Sequence, residues 1–215
     1  MSDRGGAIAI LGGTGKEGQG LAFRLASRGS SVILGSREAE KGRAVAAELA
    51  AKVGAPRVGG GSNFEAARDA AVVLSTLPYA GHIETVLSLR EALRGKLVVT
   101  ATIKWPPGLD GRPSAAEELA QALDGVCRVA AAFQTVSAAA LQRLDGEPED
   151  VLVFADSEET RKEVVALVES SGLRGVEAGA LEKARVAEAL TGVLLGINKI
   201  YRVKSAGIRV TGLSR

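Results

Sequence analysis

The chain has 215 residues, of which 46% are hydrophobic and 24% charged, an ordinary balance for a globular protein able to bury a core. A net charge of +2 with no basic run gives no reason to expect nucleic acid. A single cysteine, Cys127, and a single histidine, His82, exclude an intramolecular disulfide and a Cys/His zinc site. No stretch approaches the roughly 18 apolar residues of a membrane span. The first six residues lack the apolar core of a signal peptide, so a cytoplasmic protein is expected.

In chain order, apolar runs bounded by glycine alternate with segments of helical period. Ala7 to Leu11 reads as a buried strand, followed by glycines and a helix carrying Leu21 and Leu25 that stops near Gly29. Ser31 to Leu34 reads as a second strand and Arg37 to Val53 as a second helix. Three successive glycines make Arg57 to Gly59 a poor third strand. Ala71 to Leu77 is a fourth strand ended by Pro78; a helix over Ile83 to Leu93 and a fifth strand, Leu97 to Ala101, follow. Ile103 to Pro113, with three prolines, two glycines and the only tryptophan, is a loop. Beyond it come a helix (Ala115 to Leu123), a sixth strand (Arg128 to Ala132), another strand (Val151 to Phe154) and a helix (Glu158 to Ser170). A strand at Gly175 to Ala178 and a long helix from Leu181 to Ile200 complete the chain.

This alternation predicts a Rossmann-type doubly wound α/β fold. Its mainly parallel sheet would carry extra C-terminal strands and be closed by a helical segment. The expected division is a dinucleotide-binding domain over residues 1–180 and a closing segment over 181–215. Right-handed crossovers then place the ligand beyond the carboxyl ends of the strands, where strand order reverses.

The sharpest motif is Gly13-Thr14-Gly15-Lys16-Glu17-Gly18, a G-x-G-x-x-G fingerprint between a strand and a helix. Gly13 is expected to make the tight turn, Gly15 to let backbone approach the pyrophosphate, and Gly18 to let helix and strand pack closely. The free helix N–H groups favour the phosphate charge, so the turn from Gly13 to Gly18 is the first candidate cofactor site. An NAD site would carry Asp or Glu at the end of the second strand. Here Gly35-Ser36-Arg37 stands instead. Ser36 can donate a hydrogen bond to a 2′-phosphate, Arg37 can pair with it, and Thr14 can reach it, so NADP is expected. An ordinary N-cap and a solvated first helical turn are the competing reading of Ser36 and Arg37. Leu77 and Pro78 end the fourth strand on the nicotinamide side. His82 suits a surface or capping position, and Cys127 suits core packing.

Through these residues the chain resembles the NADPH-dependent reductases of the deazaflavin coenzyme F420, the F420-dependent NADP oxidoreductases. The resemblance runs through Leu11–Ala22, Gly35-Ser36-Arg37, Leu77-Pro78, Ala132-Phe133-Gln134-Thr135-Val136, Phe154-Ala155-Asp156 and Ala178–Leu181. It implies hydride exchange between NADP and F420, with Thr14, Ser36 and Arg37 on the 2′-phosphate. Gln134, Thr135 and Val136 would face the deazaflavin. Members often carry His or Asn where Gln134 stands, and Lys104-Trp105-Pro106-Pro107 matches no pattern of theirs. No catalytic His/Asp/Lys set is present, which fits chemistry supplied by cofactors. Two alternatives stay open. One is NADPH-dependent reduction of a flavin or a small carbonyl or imine compound; the other is a regulatory module that binds NADP(H) without turnover. The apolar stretch Val186 to Ile200 suits a homodimer face.

Overall fold

The computed structural model describes residues 6–54, 57–107 and 111–213. The N-terminal residues before Gly6, and residues 108–110 of the proline-rich loop, lie outside them. An eight-stranded sheet has the order β3-β2-β1-β4-β5-β6-β7-β8. Its strands are β1 (Ile8–Leu11), β2 (Val32–Ser36), β3 (Val58–Ser62), β4 (Val72–Ser75), β5 (Leu97–Thr100), β6 (Arg128–Ala131), β7 (Asp150–Phe154) and β8 (Arg174–Gly179). The helices between them are α1 (Lys16–Ser27), α2 (Ala39–Val53), α3 (Asn63–Asp69), α4 (His82–Ser88), α5 (Arg90–Leu93), α6 (Ala115–Leu123), α7 (Ala138–Leu141) and α8 (Glu158–Ser170). A 3-10 turn, Leu181–Lys183, leads into the closing helix α9 (Ala184–Tyr201).

Neighbouring strands are parallel except β6 and β7, which run antiparallel and pair Ala131 with Phe154. β1 is buried throughout because it is central and covered on both faces. Its alternation feeds two cores: Ile8 and Ile10 pack with α1, α2 and α8, while Ala9 and Leu11 pack with α3 to α6. A smaller cluster joins Ala184 and Ala187 of α9 and Leu181 to Ala116, Ala131 and Phe154. The chain leaves β1 toward β2 and β3, then returns to lay β4 on the other side of β1. Strand order therefore reverses between β1 and β4, and the crevice beyond their carboxyl ends is the ligand-binding position of such a sheet.

The triple glycine forms a full strand, β3, in five-residue register with β2. The reason is α2: a Cβ on Gly42 would overlap the Gly61 carbonyl oxygen, and one on Gly60 the Gly42 carbonyl oxygen. Backbone meets backbone there, so residues that weaken an isolated strand are required in this one. Gly42→Ala is expected to destabilise the protein by about 1–3 kcal/mol or more, read as a lower urea midpoint; an unchanged midpoint would mean that α2 shifts away freely. The periodicity also did not predict α3. Its start is nevertheless marked by a capping box, in which Ser62 Oγ accepts from Glu65 N–H while the Glu65 carboxylate accepts from Ser62 N–H.

Candidate functional site

The turn after β1 is built by backbone. Gly12, rather than Gly13, takes the left-handed conformation, at φ +69°, which a side chain would strain. Gly13 instead lies against its neighbours: a Cβ there would stand 2.7 Å from Ile10 O and 3.1 Å from Leu34 Cα. Its N–H donates to Gly35 O at 2.8 Å, and Gly12 N–H donates to Asn63 Oδ1 at 3.2 Å, tying the turn to β2 and α3. A Cβ on Gly18 would meet Gly13 Cα at 2.7 Å and Thr76 Oγ1 at 2.9 Å, so α1 rests directly on the turn and on the end of β4. Gly15 differs, since its only near neighbour would be Gly12 O at 3.3 Å. Gly15 is also the N-cap of α1, and among the described residues no side-chain cap bond is made to the start of the helix. Uncapped N–H groups at a helix start can meet an anion.

Beyond this turn lies a groove of about 430 Å3 lined by Thr14, Gly15, Ser36, Arg37, Leu77 and Pro78, together with Lys41, Asn63, Thr76 and Thr85. Ser36 is buried and accepts from Glu38 N–H at 3.3 Å; the N-cap of α2 is Glu38. Arg37, just before the N-cap of α2, and Lys41 in its first turn are exposed on the same wall. Among the described residues neither makes an ion pair, so two cations stand free on this wall of the groove. Lys16 is exposed at the start of α1 and Glu17 is half-buried beside it. Burial pushes the Glu17 carboxyl up to about 8.

At the far end of the groove, Thr102 Oγ1 donates to Leu77 O at 2.9 Å, joining the ends of β4 and β5. His82 is buried, not a surface residue: its Nδ1 lies 2.6 Å from Tyr79 O, and Nε2 has no hydrogen-bond partner. The first residue of α4 is turned inward because Tyr79 lies over it, with ring centroids 5.1 Å apart. Cys127 packs partly buried against the second core, and burial pushes its thiol up to about 11.

Gln134, Thr135 and Val136 are buried past the end of β6 and do not line the groove. Phe133 before them is buried in the left-handed region, at φ 75°, a strain found where surrounding structure over-determines the backbone. Gln134 Nε2 donates to Thr100 O at 3.0 Å, its Oε1 is buried without a partner, and its backbone O accepts from Thr191 Oγ1 at 2.8 Å.

The first part of the chain, residues 7–104, matches the family model described as NADP oxidoreductase, coenzyme F420-dependent. An F420-dependent NADP reductase of Methanothermobacter marburgensis is 40% identical over 220 residues, covering 96% of this chain and 98% of that protein. The chain belongs to this family. The F420-dependent NADP reductase of Methanocaldococcus jannaschii is 37% identical with the same coverage of both proteins. A solved Arthrobacter sp. FB24 structure described as a candidate F420-dependent NADP-reductase shares the fold, with a TM-score of 0.80, 24% identity, and coverage of 96% of this chain and all of the other.

Within this family member, two groove residues, Lys41 and Asn63, and one buried support, Glu188, have no motif of their own. Lys41 was signalled only by its place four residues after Arg37. Asn63 had no signal beyond following Ser62, because its partner Gly12 is 51 residues away. Glu188 of α9 is buried, and its Oε2 accepts from Lys104 N–H at 3.1 Å and Ala115 N–H at 3.3 Å. Burial raises its carboxyl above the usual range, and these backbone N–H donors partly offset the rise. Its signal was a carboxylate on the apolar face of a helix, four residues after Ala184.

Proposed function

We propose that this chain transfers hydride between NADP(H) and the deazaflavin coenzyme F420. Similarity to F420-dependent NADP reductases over nearly the full length of both chains carries the reading. The groove is consistent with it: the open face of Gly15 and the uncapped start of α1 suit a pyrophosphate, and Arg37 and Lys41 suit a 2′-phosphate. When bound, NADPH supplies a hydride from C4 of its nicotinamide to C5 of the deazaflavin. The turn Gly13, Thr14, Gly15, Lys16, Glu17 and Gly18 holds the pyrophosphate, with Gly13 and Gly18 acting as packing supports. Thr14, Ser36 and Arg37 hold the 2′-phosphate, and Leu77 and Pro78 border the nicotinamide. Gln134, Thr135 and Val136, buried behind the groove, border the deazaflavin once the chain opens to admit its ring, and Gln134 Oε1, which has no partner within the chain, then accepts from the ring's N–H edge. None of these residues needs to exchange a proton for a hydride to pass; their work is to orient two rings and exclude water.

Mixing the protein with NADPH and oxidised deazaflavin without oxygen tests this directly. Equal losses of the NADPH band and the visible deazaflavin band are expected. Oxidation of NADPH by a flavin or an imine, with the deazaflavin inert, would retain the dinucleotide half of the reading and reject its acceptor.

We further propose a cytoplasmic homodimer, divided into a dinucleotide-binding unit over 1–180 and a closing segment over 181–215. No helix among the described residues is long and apolar enough to cross a membrane. Val186, Val193 and Ile200, each two turns apart on α9, are 53%, 56% and 74% exposed. A line of large apolar side chains on one helix face suits a second copy of the same helix. Sedimentation is expected to give twice the 22.0 kDa of one chain, and Val193→Glu is expected to give one chain's mass. A wild-type monomer at all concentrations would reject the dimer.

A further inference from the structure

The chain's only tryptophan, Trp105, is 67% exposed, yet its loop is tied down on both sides. Before it, Lys104 N–H donates to Glu188 Oε2 at 3.1 Å. The Lys104 ammonium donates to Pro113 O at 3.0 Å and to Glu118 Oε1 at 2.5 Å. After it, Pro107 lies so close to α9 that a Cβ on Gly192 would stand 3.2 Å from its Cγ. The backbone therefore holds the indole out in water, against the burial that so large an apolar surface favours.

The position of this loop gives that exposure a purpose. It follows the carboxyl end of β5 and puts Trp105 three residues after Thr102, which is bonded to Leu77 of the groove. The neighbouring strand, β6, leads into Gln134, whose buried Oε1 lacks a partner. One helix grips both segments. Glu188 holds Lys104, and Thr191, one turn further along α9, donates to Gln134 O at 2.8 Å. Two adjacent strand ends, one carrying an exposed indole and the other a buried amide oxygen without a partner, are thus both bonded to α9, and the first is joined through Thr102 to Leu77 of the groove.

We infer that Trp105 is a specificity-determining residue of the acceptor site: its indole supplies the apolar surface that the fused aromatic ring of the acceptor covers. The inference rests on the proposed hydride transfer to a deazaflavin and adds a residue that selects for it. Covering an indole needs a flat, extended ring, whereas a small imine or carbonyl compound leaves most of it in water. Glu188 and Thr191 act as positioning residues, since each touches only the chain.

The test uses the full chain. In steady state, W105A is expected to raise KM for the deazaflavin roughly tenfold or more, from lost ring contact and apolar burial. Its KM for NADPH is expected to stay within about twofold, since no contact on the 2′-phosphate wall changes. W105F, which retains a ring, is expected to recover most of the loss. The second readout is the wild type's own emission, which comes from this one indole, with W105F as the blank. Acrylamide is expected to quench it strongly in the free protein and with NADP alone, and several-fold less once deazaflavin is added. Turnover with unchanged KM in W105A, together with unprotected emission, overturns the inference and leaves the proposed function standing. No deazaflavin turnover by the wild type overturns the function and the inference with it. Shielding of the indole that rises with protein concentration, without ligand, would place Trp105 between two copies and also overturn the inference.

Discussion

Gly15→Val is expected to abolish measurable NADPH binding while the protein stays folded. Gly15 has φ −76° and ψ 165°, an extended conformation that valine adopts readily. Its Cβ would meet nothing nearer than Gly12 O at 3.3 Å, and Gly15 lines the groove. The added methyl groups therefore enter the space beside the first N–H groups of α1, where backbone has to approach a pyrophosphate. A loss of at least about a hundredfold in affinity, or ~2.7 kcal/mol, is expected by titration calorimetry, with native circular dichroism. Gly18→Val is the control with the opposite signature. Its Cβ would press on Gly13 Cα at 2.7 Å and Gly12 O at 2.8 Å, so the fold fails as well as the binding. A native Gly15→Val protein with ordinary NADPH affinity would place the pyrophosphate elsewhere.

Arg37→Ala is expected to weaken NADPH and leave NADH nearly unchanged. The contact proposed for Arg37 is a charge-assisted bond to the 2′-phosphate, which NADH lacks; such bonds contribute about 1.5–3 kcal/mol, roughly 10- to 150-fold in affinity. Arg37 is exposed, and exposed charges are screened within about 10 Å at 0.1 M salt. The loss should therefore lie at the lower end and shrink as salt is added. Lys41, on the same wall, should give a smaller loss in the same direction when replaced by alanine. Equal losses for the two dinucleotides would reduce Arg37 to a helix-start residue, and a wild-type preference for NADH would reject the NADP assignment.

The parts of this molecule that could be read from the chain are those whose causes are local. A buried β1, a glycine turn and the start of α1 occupy consecutive residues, so strand pattern, fingerprint and helix period all appear in one stretch, Ile8 to Leu25. The same holds for Gly35-Ser36-Arg37, where the absence of a carboxylate at a strand end needs no distant partner to be noticed. Alternating strands and helices likewise predicted a doubly wound sheet with extra strands at its C-terminal end, and the sheet is built that way.

Tertiary structure decided what depends on contacts between distant residues. Three glycines weaken an isolated strand, and β3 forms because α2 needs their missing side chains at Gly42. The left-handed residue of the turn is Gly12, one before the fingerprint, because Gly13 is held against Leu34 of the next strand. Asn63, Glu188 and Thr191 reach partners 51, 84 and 57 residues away. Side-chain period reports which face of an element is apolar; it carries no record of which other segment that face will meet. The chain alone therefore determined β1, the glycine turn and the start of α1, whereas the grip of α9 on the Trp105 loop and on Gln134 came into being only when the sheet brought β5 and β6 side by side.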